Sequence, residues 1–154
     1  MTERSIAYGT FVIEKYLAAP PAAVFAAWAD VDRKAQWFGA PGGDNRPKEF
    51  DFRVGGREYS EGPAGAASFT FDVRYQDIIE NERIVYTYEM TMNGARISVS
   101  LASVELRPES GGTRLLLTEH GAFLDGLDTN EQRREGTIWL VDQLESFLKR
   151  QAAA

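Results

Sequence analysis

The 154 residues contain no cysteine, so no disulfide can staple the fold and no thiolate can hold zinc. One histidine, His120, leaves a metal site short of its commonest neutral ligand, and neither a metal nor a cofactor is expected. Long apolar runs are also missing. None approaches the ~18 residues of a membrane span, and the start MTERSIAYGTFVIEKYL lacks the basic-then-apolar order of a secretory signal. The expectation is a cytoplasmic protein with no membrane partner. Positive charge is scarce: 17 Lys and Arg stand against 23 Asp and Glu, a formal charge of −6. A protein that grips phosphate backbones shows a basic face. The most basic stretch here is the pair Arg133-Arg134, so nucleic acid is not an expected partner. There is no Gly-x-Ser-x-Gly and no Asp-rich metal loop.

What remains is an ordinary globular composition of one-domain length. The expected domain covers 7–150, with flexible ends at 1–6 and 151–154. Residues 7–18 alternate as a strand does. In AAPPAAVFAAWADVDRKAQWFG, Pro21 suits a first helical turn. Val24, Phe25 and Trp28 follow as a one-sided stripe. Asp30 or Asp32 caps a second short helix carrying Trp37 and Phe38, ended by Gly39 and Pro41-Gly42-Gly43. From Lys48 to Phe123 the period is two. Strands are expected at 49–54, 57–61, 67–79, 83–92, 95–107 and 113–121, separated by turn chemistry. Asn93-Gly94 is the best hairpin signal, because both residues tolerate the positive φ of a type I′ turn. Gly55-Gly56 lies between two strands, whereas a dinucleotide loop joins a strand to a helix, so it reads as a hairpin. Thr129 and Gln132 make a capping-box pattern. Leu140, Leu144, Phe147 and Leu148 then recur at helical spacing. A helix of ~20 residues spans ~30 Å, enough to lie across the concave face of a curled antiparallel sheet.

Five stretches in this order carry a resemblance: APPAAVFAAWADVDRKAQWFG, DFRVGGREY, ERIVYTYE, GGTRLLLTEHG and GTIWLVDQLESFL. From about Phe11 to Lys149 the chain resembles the START-like (Bet v 1-like, SRPBCC) superfamily, and within it the activator of Hsp90 ATPase homologue 1-like family. The resemblance implies an α+β helix-grip fold. In that fold a curved antiparallel sheet of about seven strands surrounds a long C-terminal helix, with two short helices after the first strand. It also implies a cavity between sheet and helix that binds apolar or amphipathic small molecules. The co-chaperone activity of eukaryotic relatives accompanies an extra N-terminal domain for which this length leaves no room, so a chaperone partner is a secondary expectation.

Alternation suggests which side chains face such a cavity: Ile84, Tyr86 and Tyr88; Ile97, Val99 and Leu101; Leu115, Leu117 and Glu119; Phe69, Phe71, Val73 and Tyr75. The candidate cavity residues are Trp28, Trp37, Tyr59, Phe71, Tyr86, Tyr88, Val99, Leu117, Glu119 and Trp139. Apolar walls with a few placed polar groups suit a small hydrophobic or aromatic ligand; the bland alternative is a filled core whose tyrosine hydroxyls reach backbone or water. Glu119 is the one catalytic candidate, since an inward carboxylate has a raised pKa unless cations or donors compensate. A pairing with Arg96 or another arginine is the plainer expectation. Asp51 and Arg53 share a strand face and are expected to pair with Arg57 or Arg83 across the hairpin. Gly136 implies either a close approach or a position near the helix start. The first expectation is a ligand-binding protein rather than an enzyme. The rivals are an enzyme of the polyketide cyclase or hydrolase kind and a protein-interaction module, with a homodimer through an exposed sheet edge.

Overall fold

The computed structural model describes residues 3–39 and 45–154, with backbone alone at Ala64. Its elements run β1 (Ile6–Leu17), α1 (Pro21–Ala29), α2 (Val31–Lys34), β2 (Glu49–Phe50), β3 (Arg57–Ala64), β4 (Ala67–Ile79), β5 (Arg83–Met92), β6 (Ala95–Glu109), β7 (Gly112–Leu124) and α3 (Asn130–Ala153). All seven strands form one sheet in the order β1-β7-β6-β5-β4-β3-β2, every pair antiparallel. Short connections force that sense from β2 to β7, because a parallel partner needs a crossover of a dozen residues or more; β1, the first strand, pairs antiparallel with β7, the last. The curved sheet and the long terminal helix make a helix grip.

Local chemistry explains most boundaries. Pro21 opens α1 at a position where its missing N–H would have been orphaned anyway. The Asp30 side chain accepts from the Arg33 N–H at 3.0 Å and starts α2. Trp37 and Phe38 fall in the turns after α2, and Gly39 takes φ +118°. The expected stop at Pro41-Gly42-Gly43 lies outside the described residues. Asn93 and Gly94 adopt φ +52° and +81°, the conformation a type I′ turn requires. Thr129 Oγ1 accepts from the Gln132 N–H at 3.1 Å and begins α3.

Two expectations change. The strand expected at 49–54 stops at Phe50; β2 and β3 still pair antiparallel as a hairpin, but the connection is a loop over 51–56 that Gly55-Gly56 end, rather than a tight turn. The Gly55 N–H donates to the Tyr75 carbonyl and the Tyr75 N–H to that of Gly56, tying the loop to β4. Phe52 leaves the strand alternation and turns its ring to Tyr75 and Phe25. Asp51 pairs with Arg53 itself, while Arg57 holds Asp72 and Glu49, and Arg83 holds Asp77. Near the ends, Asp125 accepts from Arg4 and Ser5, β1 begins at Ile6 and α3 runs to Ala153, while residues 1–2 of the expected flexible start lie outside the described residues.

At ~1.5 Å per residue, the 24 residues of α3 are ~36 Å long. Its buried side chains, Arg133, Thr137, Val141, Leu144, Phe147 and Leu148, recur every three or four residues and make one stripe. The C-terminal half of that stripe joins the solid core with Leu17, Val24, Ile84, Val104 and Leu115. Each such side chain contributes about 1.5–3 kcal/mol on full burial. The N-terminal half has no such filling opposite it. There the grip stays hollow.

The hollow and its polar pole

The hollow has a volume of about 550 Å³, within the ~300–1,000 Å³ of small-molecule sites. Its floor is the inner face of the sheet: Phe69 and Phe71 from β4, Tyr86, Tyr88, Met90 and Met92 from β5, Leu117 and Glu119 from β7. Alternation along each strand puts these residues on one side. Trp28 from α1 closes one end together with Trp37 and Phe38, whose rings meet edge to face (Trp28–Trp37 centroids 4.9 Å apart, Trp37–Phe38 5.5 Å). Trp37 is locked by its indole N–H, which donates to the Ala27 carbonyl at 3.0 Å. The roof is the first half of α3: Arg133, Gly136, Thr137, Leu140 and Val141. Ser60–Pro63 of β3 and Arg46 form part of the rim.

Of the ten side chains expected here, Trp28, Trp37, Phe71, Tyr86, Tyr88, Leu117 and Glu119 line the hollow; Tyr59, Val99 and Trp139 do not. Val99 fails by register. From Ser98 to Glu105 β6 pairs with β5 without a break, Tyr88 opposite Ser100, Tyr86 opposite Ala102 and Ile84 opposite Val104, so Val99 stands opposite Glu89 on the other face. The bulge at Ile97, between the Met90–Ser98 and Thr91–Arg96 pairs, comes only before this run. Ser98, Ser100 and Ala102 face inward instead, while Val99 and Leu101 are exposed. Tyr59 lies on the outer face because the polar neighbours Glu58 and Ser60 take the inner one. Its ring sits under the Arg57 guanidinium and its hydroxyl donates to Glu61 at 2.8 Å. Trp139 stands two residues from Thr137, ~200° around the helix, and is 38% exposed. His120 is exposed on the outer face with Nδ1 2.9 Å from Thr10 Oγ1.

A polar cluster occupies the end of the hollow beneath α3. Tyr88 donates to Glu119 Oε1 at 2.5 Å, and Arg133 Nη1 donates to Tyr88 Oη at 3.0 Å. Arg133 Nη2 donates to Ser98 Oγ and to Asp128 Oδ2, both at 2.8 Å. Arginine offers donors only, so the tyrosine oxygen must accept from it and direct its single proton to Glu119. Burial pushes the Glu119 pKa up from the ordinary carboxyl value, opposed by the Tyr88 hydrogen bond and the Arg133 charge. Burial and the neighbouring Glu119 push Tyr88 up, so it stays a protonated donor. Glu119 thus meets an arginine through a tyrosine, and that arginine is Arg133; Arg96 pairs with Glu89 instead.

Arg133 escaped sequence reading because it stands beside Arg134 in a polar run. Extending the stripe Leu148, Leu144, Val141, Thr137 back one more turn reaches it. A second buried group left no such trace: Lys34 Nζ lies 2.6 Å from Glu58 Oε1, and Tyr75 Oη donates to the same oxygen at 2.5 Å. Lys34 is 5% and Glu58 1% exposed, and the ammonium stands 4.4 Å above the Phe38 ring. This pair anchors α2 and the closing aromatics onto β3. Among the described residues no three His, Cys, Asp or Glu side chains gather as a metal site requires, and no helix is long and apolar enough to cross a membrane.

Gly136 lies inside α3, and a Cβ built on it would meet nothing within 4 Å. Of the two readings of this glycine the close approach is absent; it stands near the start of α3, which begins at Asn130. The glycine leaves the roof one side chain thinner.

Comparison with known proteins places this geometry. An uncharacterised protein from Rhizobium leguminosarum shares 42% sequence identity over 97% of this chain and 99% of its own, with a TM-score of 0.89. Mll3558 from Rhizobium loti shares 40% over 93% and 99%, with a TM-score of 0.86. CalU16 from Micromonospora echinospora, 23% identical over 99% and 89%, has the same fold at a TM-score of 0.62. No curated protein matches. The family model described as activator of Hsp90 ATPase homolog 1-like protein matches residues 18–149, and the chain belongs to that family, within the SRPBCC or Bet v 1-like fold.

Proposed function

We propose that the protein binds one small, largely apolar or aromatic molecule in the hollow between the sheet and α3. The observation that carries this reading is the contrast within one stripe of α3: solid core beneath Leu144 and Phe147, an aromatic-walled hollow beneath Gly136 and Thr137. Nothing in packing requires a helix to leave such room, and interiors are otherwise close-packed. Seven aromatic rings and two thioethers would provide contact area, and a polar cluster at one end would fix orientation. A thermal-shift screen of lipids, flavonoids and polyketide-like aromatics tests it, because any ligand preferring the folded state raises apparent stability. Titration follows by tryptophan quenching. Trp28 and Trp37 line the site, while the exposed Trp139 can be replaced by Phe without losing the signal. A flat screen with no quenching would count against the reading.

The relay Arg133–Tyr88–Glu119 favours a second reading, an enzyme of the polyketide cyclase kind. A carboxyl whose pKa burial raises above the ordinary carboxyl value is a better proton acceptor and a candidate for acid–base work. Turnover of a cyclisable substrate would then disappear in Glu119→Gln and Tyr88→Phe. Unchanged rates in both would remove these residues from any chemistry.

A further inference from the structure

We infer that the hollow selects a neutral ligand bearing a hydroxyl that both accepts and donates, a phenol or alcohol on an aromatic or alicyclic skeleton, seated between Tyr86 and Glu119. The inference rests on the ligand-binding reading above and adds the chemistry of the group recognised. Strand register brings the partners together: Tyr86 of β5 pairs with Ala102 of β6, and Ala102 with Glu119 of β7. The three lie in one row across neighbouring strands, so the outer two are separated by two strand spacings, ~9–10 Å between backbones. The residue between them carries only a methyl group and is fully buried. A gap flanked by a tyrosine and a carboxyl is therefore built into the floor.

Hydrogen-bond accounting fixes what can enter the gap. Tyr86 is 7% exposed and lines the hollow, and among the described residues its hydroxyl has no hydrogen-bond partner. The hydroxyl opens into the hollow, so an acceptor on the ligand would satisfy it. Opposite, Tyr88 occupies Glu119 Oε1. Thr137, the other hydroxyl beside that carboxyl, directs its proton to the Arg133 carbonyl at 2.8 Å. The carboxyl group has about four lone-pair sites, so Glu119 keeps capacity to accept even with the Thr137 hydroxyl within its reach. A ligand hydroxyl serves both sides at once, accepting from Tyr86 and donating to Glu119. An ammonium could donate to Glu119 but could not accept from Tyr86. A carboxylate could accept from Tyr86 but would face Glu119 and Asp128. Of the arginines that line the hollow among the described residues, Arg133 already holds Asp128 at 2.8 Å and Arg46, at the rim, holds Asp32.

A matched series on one skeleton tests this: fluorene, 2-hydroxyfluorene, fluorene-2-carboxylate and 2-(aminomethyl)fluorene, titrated by tryptophan quenching against the wild type, Tyr86→Phe and Glu119→Gln. The expected result is that 2-hydroxyfluorene binds about tenfold more tightly than fluorene, the scale of one to two net hydrogen bonds, with the charged pair weaker still. Tyr86→Phe and Glu119→Gln should each remove most of that advantage while leaving fluorene affinity within about twofold. Tyr86→Phe should melt no lower than the wild type without ligand, since no protein partner is lost. Equal affinity across the series overturns the inference but leaves the hollow as a ligand site. So does a preference for the carboxylate or amine, an advantage retained in Tyr86→Phe, or a Tyr86→Phe protein that melts several degrees lower. Binding by none of the four probes overturns both the inference and the reading beneath it.

Discussion

Gly136 offers the sharpest perturbation, because stability and binding should move in opposite directions there. A glycine inside a helix is less favourable than alanine by about 0.8–1 kcal/mol, and a Cβ at this position would touch nothing within 4 Å. Gly136→Ala should therefore stabilise the protein by roughly that amount, a rise in melting temperature of about 2–4 °C at this chain length. Gly136→Leu keeps most of the helical gain and pushes a branched side chain into the 550 Å³ hollow. Each methylene it buries against the aromatic wall adds up to about 0.8 kcal/mol, so this variant should be at least as stable as Gly136→Ala. A ligand under the roof would lose that space. Its affinity should fall by tenfold or more in Gly136→Leu and only a few-fold in Gly136→Ala. Thermal melts without ligand and tryptophan-quench titrations with it give the two readouts. If Gly136→Ala lowers the melting temperature, the space beside the helix is not open. If Gly136→Leu binds as tightly as the wild type, the ligand sits elsewhere.

Two further outcomes follow from the buried charges. Lys34→Met leaves Glu58 nine-tenths or more buried without its cation. Breaking such a pair typically costs about 3–5 kcal/mol, so denaturant melts should show a loss of that order, and adding Glu58→Leu should recover much of it; a change below about 1 kcal/mol would mean the pair is not desolvated. Glu119 holds its proton more tightly in the folded than in the unfolded chain, because burial raises its pKa from 4.5. Its contribution to stability is therefore fully present below that value and is lost as pH rises through the raised pKa. Relative to Glu119→Gln, the wild type should lose melting temperature from about pH 4.5 upward, and parallel curves between pH 4 and 7 would refute the shift.

Most of the fold could be read from the chain because its signals are local. Period-two alternation, Asn93-Gly94, Pro21 and the Thr129 N-cap each act within a few residues as their chemistry predicts; of the capping box only the Thr129 half forms, the Thr129 N–H donating to Asp128 Oδ1 instead. Seven of the ten proposed cavity side chains were legible for the same reason. The failures are non-local. The register of β6 is fixed by its pairing with β5, and it turns outward Val99 and Leu101, the apolar residues whose alternation spells out the wrong inner face. Glu58 looks like a solvent residue until Lys34, 24 positions earlier, is brought beside it. Arg133 joins Tyr88 only because α3 lies across β5, a contact spanning 45 residues.

The central claim is that the inner face beneath α3 is a binding surface. Backbone amide chemical shifts followed by nuclear magnetic resonance, as a stabilising ligand is added, test it most directly. The account predicts that the largest changes fall at Phe71, Tyr86, Tyr88, Met90, Gly136 and Thr137, with Val99, Leu101 and His120 on the outer face unmoved. Changes concentrated on the outer face, or along the free edge of β1 at Tyr8 and Val12, would contradict it.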